Sequence, residues 1–96
     1  MITFDMLLAR REEILALAAK HKAEHVRVFG SVARGESTEQ SDIDLLVNFV
    51  PGASLFDLIH LKDDVEHLLG ASVDIVSEGG ISPFLEEIIY REAREL

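Results

Sequence analysis

The sequence predicts an α/β fold in which helices pack on one small mixed sheet of three to four strands. Helical and strand-like patterns alternate along the chain, three short runs are rich in Val, Ile and Leu, and the segments between them repeat apolar residues at the helical period. With 96 residues, the chain is long enough for one hydrophobic core and too short for two, so we expect a single domain over residues 1–96.

The first half of the chain predicts one helix, two strands and a short helical turn. Apolar residues recur near the helical period over residues 4–19, which favours an amphipathic helix. The run HVRVFG, residues 25–30, is β-branched and aromatic and ends at a glycine, as is typical of a strand. The run SVARGE, residues 31–36, has room for only a turn of helix, and DIDLLVNF, residues 42–49, predicts the second strand.

The second half predicts helix, strand and helix. Pro51 and Gly52 interrupt the chain, and Ser54 is a suitable cap for a helix that Gly70 would end. SVDIV, residues 72–76, predicts a third strand. Ser82 followed by Pro83 predicts the start of a last helix. We expect its apolar side chains to belong to the core, although a helix this apolar could also dock on a partner; they are Phe84, Leu85, Ile88, Ile89 and Tyr90.

Composition limits the partners. Nine basic and eighteen acidic residues give a formal net charge of −9, which repels a phosphate backbone, so no free nucleic acid is expected as a partner. A basic protein surface is a more suitable partner, while solubility alone would also explain the charge. No apolar run approaches the roughly 20 residues of a membrane span, and no signal peptide is recognisable. We therefore expect the cytoplasm, and the absence of cysteine agrees with this.

Two aspartates interrupt the hydrophobic second strand. Residues i and i+2 of a strand point to the same face, so Asp42 and Asp44 project together, about 7 Å apart at the backbone. Asp74 lies in the middle of the third strand, and strand pairing could bring it beside them. Carboxylates this close repel one another unless a divalent cation offsets the charge, and oxygen ligands favour Mg²⁺ or Mn²⁺ over zinc. The sequence therefore predicts a metal site at these three aspartates.

A purely structural role for the aspartates is the alternative. Asp42 would then cap a strand end, Asp44 would pair with Arg27 or Arg34, and Asp74 would lie on an exposed sheet edge.

A glycine–serine pair follows the first strand. Gly30 allows close approach of the backbone, Ser31 adds a hydroxyl donor, and Arg34, one turn later, can reach a phosphate oxygen. We predict that these three residues form a phosphate cradle. A phosphate cradle beside a two-metal carboxylate site is suited to phosphoryl or nucleotidyl transfer.

The stretch GSVARGESTEQSDIDLLV resembles the signature of the DNA polymerase β-like nucleotidyltransferase superfamily, Gly-Ser and then Asp-x-Asp after ten residues. The small size, the VDIV run and the ending SPFLEEIIYREAREL resemble the minimal nucleotidyltransferases (MNT), which are paired with HEPN-domain partners in toxin–antitoxin modules. The resemblance implies the small nucleotidyltransferase palm. It also implies that Asp42 and Asp44 hold two Mg²⁺ ions, or Mn²⁺, with the ATP phosphates, while Asp74 completes the site and helps to deprotonate the acceptor hydroxyl.

The resemblance implies an enzyme that transfers AMP from ATP to a tyrosine of a HEPN ribonuclease toxin, binds the toxin and so acts as its antitoxin. Many relatives carry a basic residue after the serine, where this chain has Val32, so phosphate affinity would depend more on Arg34. A non-catalytic binding antitoxin is one alternative. A small-molecule nucleotidyltransferase is another, disfavoured because we expect no separate acceptor domain. Assembly with the toxin or with further copies of the chain stays open.

Overall fold

A four-stranded mixed sheet organises the protein. The structure, a computed structural model, describes residues 1–96. Its strands are β1 (Ala23–Phe29), β2 (Ile43–Phe49), β3 (Val73–Ser77) and β4 (Arg94–Glu95), in the order β3-β2-β1-β4. β1 runs antiparallel to β2 and β4, whereas β2 and β3 are parallel. The mixed sheet of three to four strands is confirmed, and the fourth strand is the two-residue β4 at the C-terminal end.

Five α-helices and a 3₁₀-helix (Glu78–Gly80) accompany the sheet; the α-helices are α1 (Phe4–Ala9), α2 (Arg11–Lys20), α3 (Gly30–Arg34), α4 (Leu55–Leu69) and α5 (Pro83–Glu92). The predicted continuous helix over residues 4–19 is wrong, because Arg10 leaves the helical conformation and separates α1 from α2. The buried residues Phe4, Leu7, Ile14 and Ala18 would share one side of an unbroken helix as well. Apolar periodicity therefore could not reveal the break.

The main core lies between the sheet and the helices α1, α2 and α4, and Val32 and Ala33 of α3 also belong to it. Alternate residues of β2 point into it, and Ile43, Leu45 and Val47 are all at most 2% exposed. Leu61 and Val65 of α4 pack against the same side. We call this side of the sheet the helix face.

The opposite side of the sheet carries Asp44 and Asp74, and we call it the carboxylate face. Leu46 is fully buried there although it lies outside the main core. Part of this face is covered by α5, which buries only Ile89 of its ten residues.

The predicted ends of α4 and the start of α5 are confirmed. The backbone N–H of Ser54 donates to the Asp57 carboxylate at 2.8 Å in a capping box, and Gly70 ends the helix in the left-handed conformation. Pro83 is the first residue of α5. No helix has the length and hydropathy needed to cross a membrane.

The expectation that the apolar residues of α5 belong to the core is wrong for four of the five. Phe84 is 91% exposed, and the exposed fractions of the others are 52% for Leu85, 50% for Ile88 and 39% for Tyr90. The helix α5 packs at the edge of the carboxylate face and not between two layers. Only one side of the helix therefore contacts the sheet, and the other side stays exposed. The exposed residues leave an apolar surface on this helix.

Candidate active site

Strand register brings two of the three predicted aspartates together. Asp44 in β2 and Asp74 in β3 are direct partners in the parallel ladder, so their side chains leave the same face of neighbouring strands, which lie about 4.8 Å apart. Asp42 lies one residue before β2 and is exposed. The alternation of the strand places it on the same side as Asp44. All three carboxylates are thus carried to one end of the carboxylate face.

The carboxylates interact electrostatically. The pKa of the half-buried Asp44 carboxyl is raised from 3.8 to about 6, first by burial and then by the negative charges of Asp74 and Asp42. The positive charge of Arg34 opposes this increase. The site therefore holds more negative charge than its own cations balance, and a divalent cation would relieve the repulsion.

Asp44 forms no ion pair with the two arginines that could neutralise it. Arg27 pairs with Glu78, and its guanidinium lies 5.0 Å from the centre of the Tyr90 ring. Arg34 pairs with two glutamates rather than with Asp44. The alternative in which Asp44 is neutralised by either arginine is therefore wrong.

Asp74 lies at an exposed sheet edge and also beside Asp44, the two positions that the sequence left open. It is exposed, and it lies on β3, an edge strand of the sheet. It is also the direct register partner of Asp44. An edge position leaves the side chain accessible to a substrate as well as to solvent.

The donor set fits Mg²⁺ or Mn²⁺ in its chemistry. The three side chains offer carboxylate oxygens alone, which are the ligands that these hard cations prefer. No three His, Cys, Asp or Glu side chains converge into a ready chelating group in this structure. Asp42, Asp44 and Asp74 thus share one face of the sheet without forming a closed cage.

Gly30 is required at its position for two reasons. Its φ angle is +74°, in the left-handed region that residues with a Cβ rarely adopt. It also follows Phe29, the register partner of Asp44, and a Cβ on residue 30 would overlap a carboxylate oxygen of Asp44 and lie 3.1 Å from its carboxyl carbon. The predicted close approach is present, and the group that approaches Gly30 in the structure is the Asp44 carboxylate.

The other two cradle residues lie on α3, directly after Gly30. Ser31 is half-buried and Arg34 is exposed at the end of the helix. Val32, which directly follows the serine, is 1% exposed and belongs to the main core. Val32 supplies no cation here, and Arg34, the exposed last residue of α3, is the cation of the predicted cradle.

Sequence reasoning missed Glu92, the last residue of α5. Its Oε2 accepts a hydrogen bond from the backbone N–H of Gly30 at 3.3 Å, and its Oε1 accepts one from Nη1 of Arg34 at 2.9 Å. Glu92 lies about sixty positions along the chain from these partners, and no local motif marks it. Only the return of the C-terminal segment to the sheet reveals the contact.

A central strand with an Asp-x-Asp pair, a glycine–serine turn beside it and a third aspartate on the parallel neighbour define a nucleotidyl-transfer fold. The family profile described as "Nucleotidyltransferase domain" matches residues 11–96. The chain belongs to this family of nucleotidyltransferase enzymes.

Individual relatives agree with this assignment. The protein adenylyltransferase MntA of Thermococcus cleftensis is 36% identical over 95 residues, covering 91% of this chain and 96% of the relative. Other relatives, from Methanocaldococcus jannaschii, are provisionally named protein adenylyltransferases.

Solved structures confirm the minimal nucleotidyltransferase fold. One that is provisionally described as a minimal nucleotidyltransferase is 55% identical, with a TM-score of 0.88 and coverage of 99% of this chain and 97% of the other. An MNT antitoxin in complex with a tri-AMPylated HEPN toxin from Shewanella oneidensis is 20% identical, with a TM-score of 0.71 and coverage of 94% and 71%. At this identity the second likeness concerns the fold alone.

Proposed function

We propose that this protein transfers AMP from ATP to a tyrosine hydroxyl of a HEPN-domain ribonuclease toxin and thereby acts as its antitoxin. The observation that carries the proposal is the register of Asp44 with Asp74, which sets two carboxylates side by side, with that of Asp44 against Gly30. The names of the homologues support protein adenylylation, and the complex from Shewanella oneidensis supports a HEPN partner.

The proposed reaction is a displacement at the α-phosphorus of ATP. The acceptor oxygen forms a bond to this phosphorus while the bond between the phosphorus and the oxygen leading to the β-phosphate breaks. Pyrophosphate leaves with the bonding electron pair. The acceptor proton passes to the carboxylate of Asp74, whose exposed position on the edge strand leaves it accessible to an incoming side chain, and then to water.

We assign Mg²⁺, or Mn²⁺, to the carboxylates of Asp42, Asp44 and Asp74. When bound, the two ions would neutralise the triphosphate and the charge that develops on the entering and leaving oxygens. The protein contributes by orienting the three carboxylates on one rigid sheet. Gly30, Ser31 and Arg34 would bind the phosphates through a backbone N–H, a hydroxyl and a guanidinium group.

We propose that α5 provides part of the toxin-binding surface. Phe84, Leu85 and Ile88 are at least half exposed on this helix, and an exposed apolar cluster of this kind is suited to an interface. The net charge of −9 would speed encounter with a basic partner. The cytoplasmic location and any assembly into homo- or hetero-oligomers stay predictions.

Co-expression with the HEPN protein encoded beside this chain tests the proposal. We expect the intact mass of the partner to increase by one or more AMP units and the cells to survive. Replacing Asp44 with asparagine should abolish both effects, whereas the exposed Asp5 of α1 should tolerate the same change.

The experiment also separates the alternatives. A partner that is neutralised by the Asp44→Asn variant without any added mass would favour a non-catalytic binding antitoxin, for which the exposed face of α5 would suffice. If the partner never gains mass and is never neutralised, the toxin assignment is wrong and a small-molecule acceptor becomes the better hypothesis.

A further inference from the structure

Glu92 uses donors of the proposed phosphate cradle. One of its carboxylate oxygens accepts from the Gly30 backbone N–H and the other from the Arg34 guanidinium, at 3.3 and 2.9 Å. A carboxylate is a planar group and a phosphate a tetrahedral group of anionic oxygens, and both accept hydrogen bonds from the same kinds of donor. The side chain of Glu92 thus makes the contacts that the proposed function gives to the triphosphate.

Repulsion opposes this position of Glu92. Its negative charge adds to that of the aspartates and helps to raise the pKa of Asp44. The two hydrogen bonds to Gly30 and Arg34 offset the repulsion, and the Glu92 side chain is only 22% exposed. Because the same donors cannot serve a triphosphate at the same time, Glu92 and the nucleotide exclude each other.

We propose that Glu92 is an internal competitor of ATP, a carboxylate that occupies the phosphate cradle until the triphosphate displaces it. The proposal rests on the proposed function, since it assumes that the cradle binds ATP. It assigns to Glu92 the role of lowering nucleotide affinity. Glu92 belongs to α5, the helix that also carries the exposed apolar surface. Its displacement would therefore take place next to the proposed toxin interface.

The structure allows the displacement at low cost. Glu92 is the last residue of α5, and α5 buries only Ile89. The chain beyond it is fixed independently, because Arg94 and Glu95 pair with β1 and the Leu96 backbone N–H donates to Val26. Rotation of the Glu92 side chain can therefore clear the cradle while the C-terminal strand stays in the sheet.

Arg34 would keep a partner during the exchange. Its Nε donates to Glu36 at 3.0 Å, whereas Nη1 donates to Glu92. The pKa of Arg34 is raised by its hydrogen bonds to Glu36 and Glu92, so the guanidinium remains a cation throughout. It can pass from the Glu92 carboxylate to a phosphate oxygen without losing its orientation.

Calorimetric titration of the purified chain with ATP and Mg²⁺ tests the proposal. We expect Glu92→Ala to bind about threefold to tenfold tighter than wild type, because the competing charge-assisted contacts are partly exposed and therefore modest. Glu86→Ala is the matched control, since it removes the same charge from an exposed position of the same helix. Glu92→Gln should lie between wild type and Glu92→Ala, because an amide oxygen can still accept but carries no charge.

Two simpler probes locate the effect. Inorganic triphosphate with Mg²⁺ should gain affinity in Glu92→Ala by about the same factor as ATP, whereas adenosine should not. If triphosphate and ATP gain affinity by different factors in Glu92→Ala and adenosine also binds tighter, Glu92 does not compete at the phosphates. Should Glu92→Ala fail to fold in thermal unfolding, the Glu92→Gln variant carries the comparison.

The failures can be told apart. If wild type and variants all bind ATP equally, the inference about Glu92 is wrong and the proposed function stands. Weaker binding by Glu92→Ala would also overturn it, because Glu92 would then belong to the binding site itself. If no variant binds any nucleotide, both the proposed function and this inference are wrong.

Discussion

The two faces of the sheet are built from alternate residues of the same strands, yet they differ in what they contribute. On β2, Ile43, Leu45 and Val47 point to the helix face and are almost completely buried, whereas Asp44 between them is half-buried and carries a raised pKa. One face gains free energy of folding from apolar burial. The other holds like charges near one another, at a cost to stability.

The closeness of the two faces has a structural benefit. Neighbouring residues of one strand share a backbone that the core holds in place, so Asp44 is oriented by the burial of Ile43 and Leu45 on either side. The register between β2 and β3 transfers this rigidity to Asp74, since Ile43 pairs with Val73 and Leu45 with Ile75. A site on rigid strands holds its groups more closely in place than one on loops.

The largest effect should come from removing one charge on the carboxylate face. We expect Asp44→Asn to lower the rate of AMP transfer about a thousandfold, about 4 kcal/mol of activation free energy, because one proposed ligand of the metal ions is lost. Its thermal stability should stay equal or rise. Measured transfer rates and unfolding curves of the same preparations check this, and a variant that retains most of its rate would remove Asp44 from the site.

A substitution of Leu45, the residue after Asp44, should mainly lower stability. Leu45 is 2% exposed, and Leu45→Ala should lower the free energy of unfolding by about 3 kcal/mol through lost burial and the cavity left behind. Leu55, which is 70% exposed, is the matched control, and its change to alanine should cost less than about 0.5 kcal/mol. Urea unfolding measures both. Equal losses for the two leucines would mean that the assigned faces are wrong.

The carboxylate site could be predicted from sequence because its signals are local. The i, i+2 spacing of Asp42 and Asp44 in an apolar strand fixes a common face, and a glycine–serine pair before a short helical turn marks a close approach. Asp74 needed one further assumption, that its strand lies beside the other. Register confirms that assumption, because Asp44 and Asp74 are direct partners.

The features that could not be predicted depend on contacts between distant parts of the chain. β4 has only two residues and exists because the chain after α5 returns to β1. Glu92 reaches the cradle for the same reason. The break at Arg10 left the apolar period unchanged, and the exposure of Phe84 depends on what α5 packs against rather than on its own pattern.

Two glycines with the same φ angle allow the crowding of the carboxylate face to be measured. Gly30 and Gly35 both have φ of +74°, but a Cβ at residue 35 would meet nothing within 4 Å, whereas one at residue 30 would overlap Asp44. Gly35→Ala should lose only the backbone term, about 1 kcal/mol. Gly30→Ala should lose about 2 kcal/mol or more, together with AMP transfer.

Unfolding free energies of the two alanine variants check the difference. The comparison is controlled internally, since the backbone term is common to both glycines. If both variants lose the same stability and both keep AMP transfer, the contact between residue 30 and Asp44 does not constrain the site.

The smallest effect should be the pH dependence of stability that Asp44 adds on the carboxylate face. Folding raises the pKa of Asp44 from 3.8 to about 6, so the folded chain binds more protons than the unfolded chain between these values. Stability from this group is therefore complete below about pH 4, falls as the pH rises to about 6 and stays constant above. Because Asp44 is half exposed, screening should reduce the loss to about 1 kcal/mol.

Asp44→Asn isolates this contribution, since it removes the titrating group and keeps its shape. Its stability should match that of wild type near pH 4 and exceed it by about 1 kcal/mol at pH 7. Mg²⁺ should reduce the difference at pH 7 by binding the wild type more tightly than the variant, and EDTA should restore it. A wild type that gains stability over the variant as the pH rises would show that Asp44 is stabilised as an anion, which would mean that repulsion does not dominate the carboxylate face.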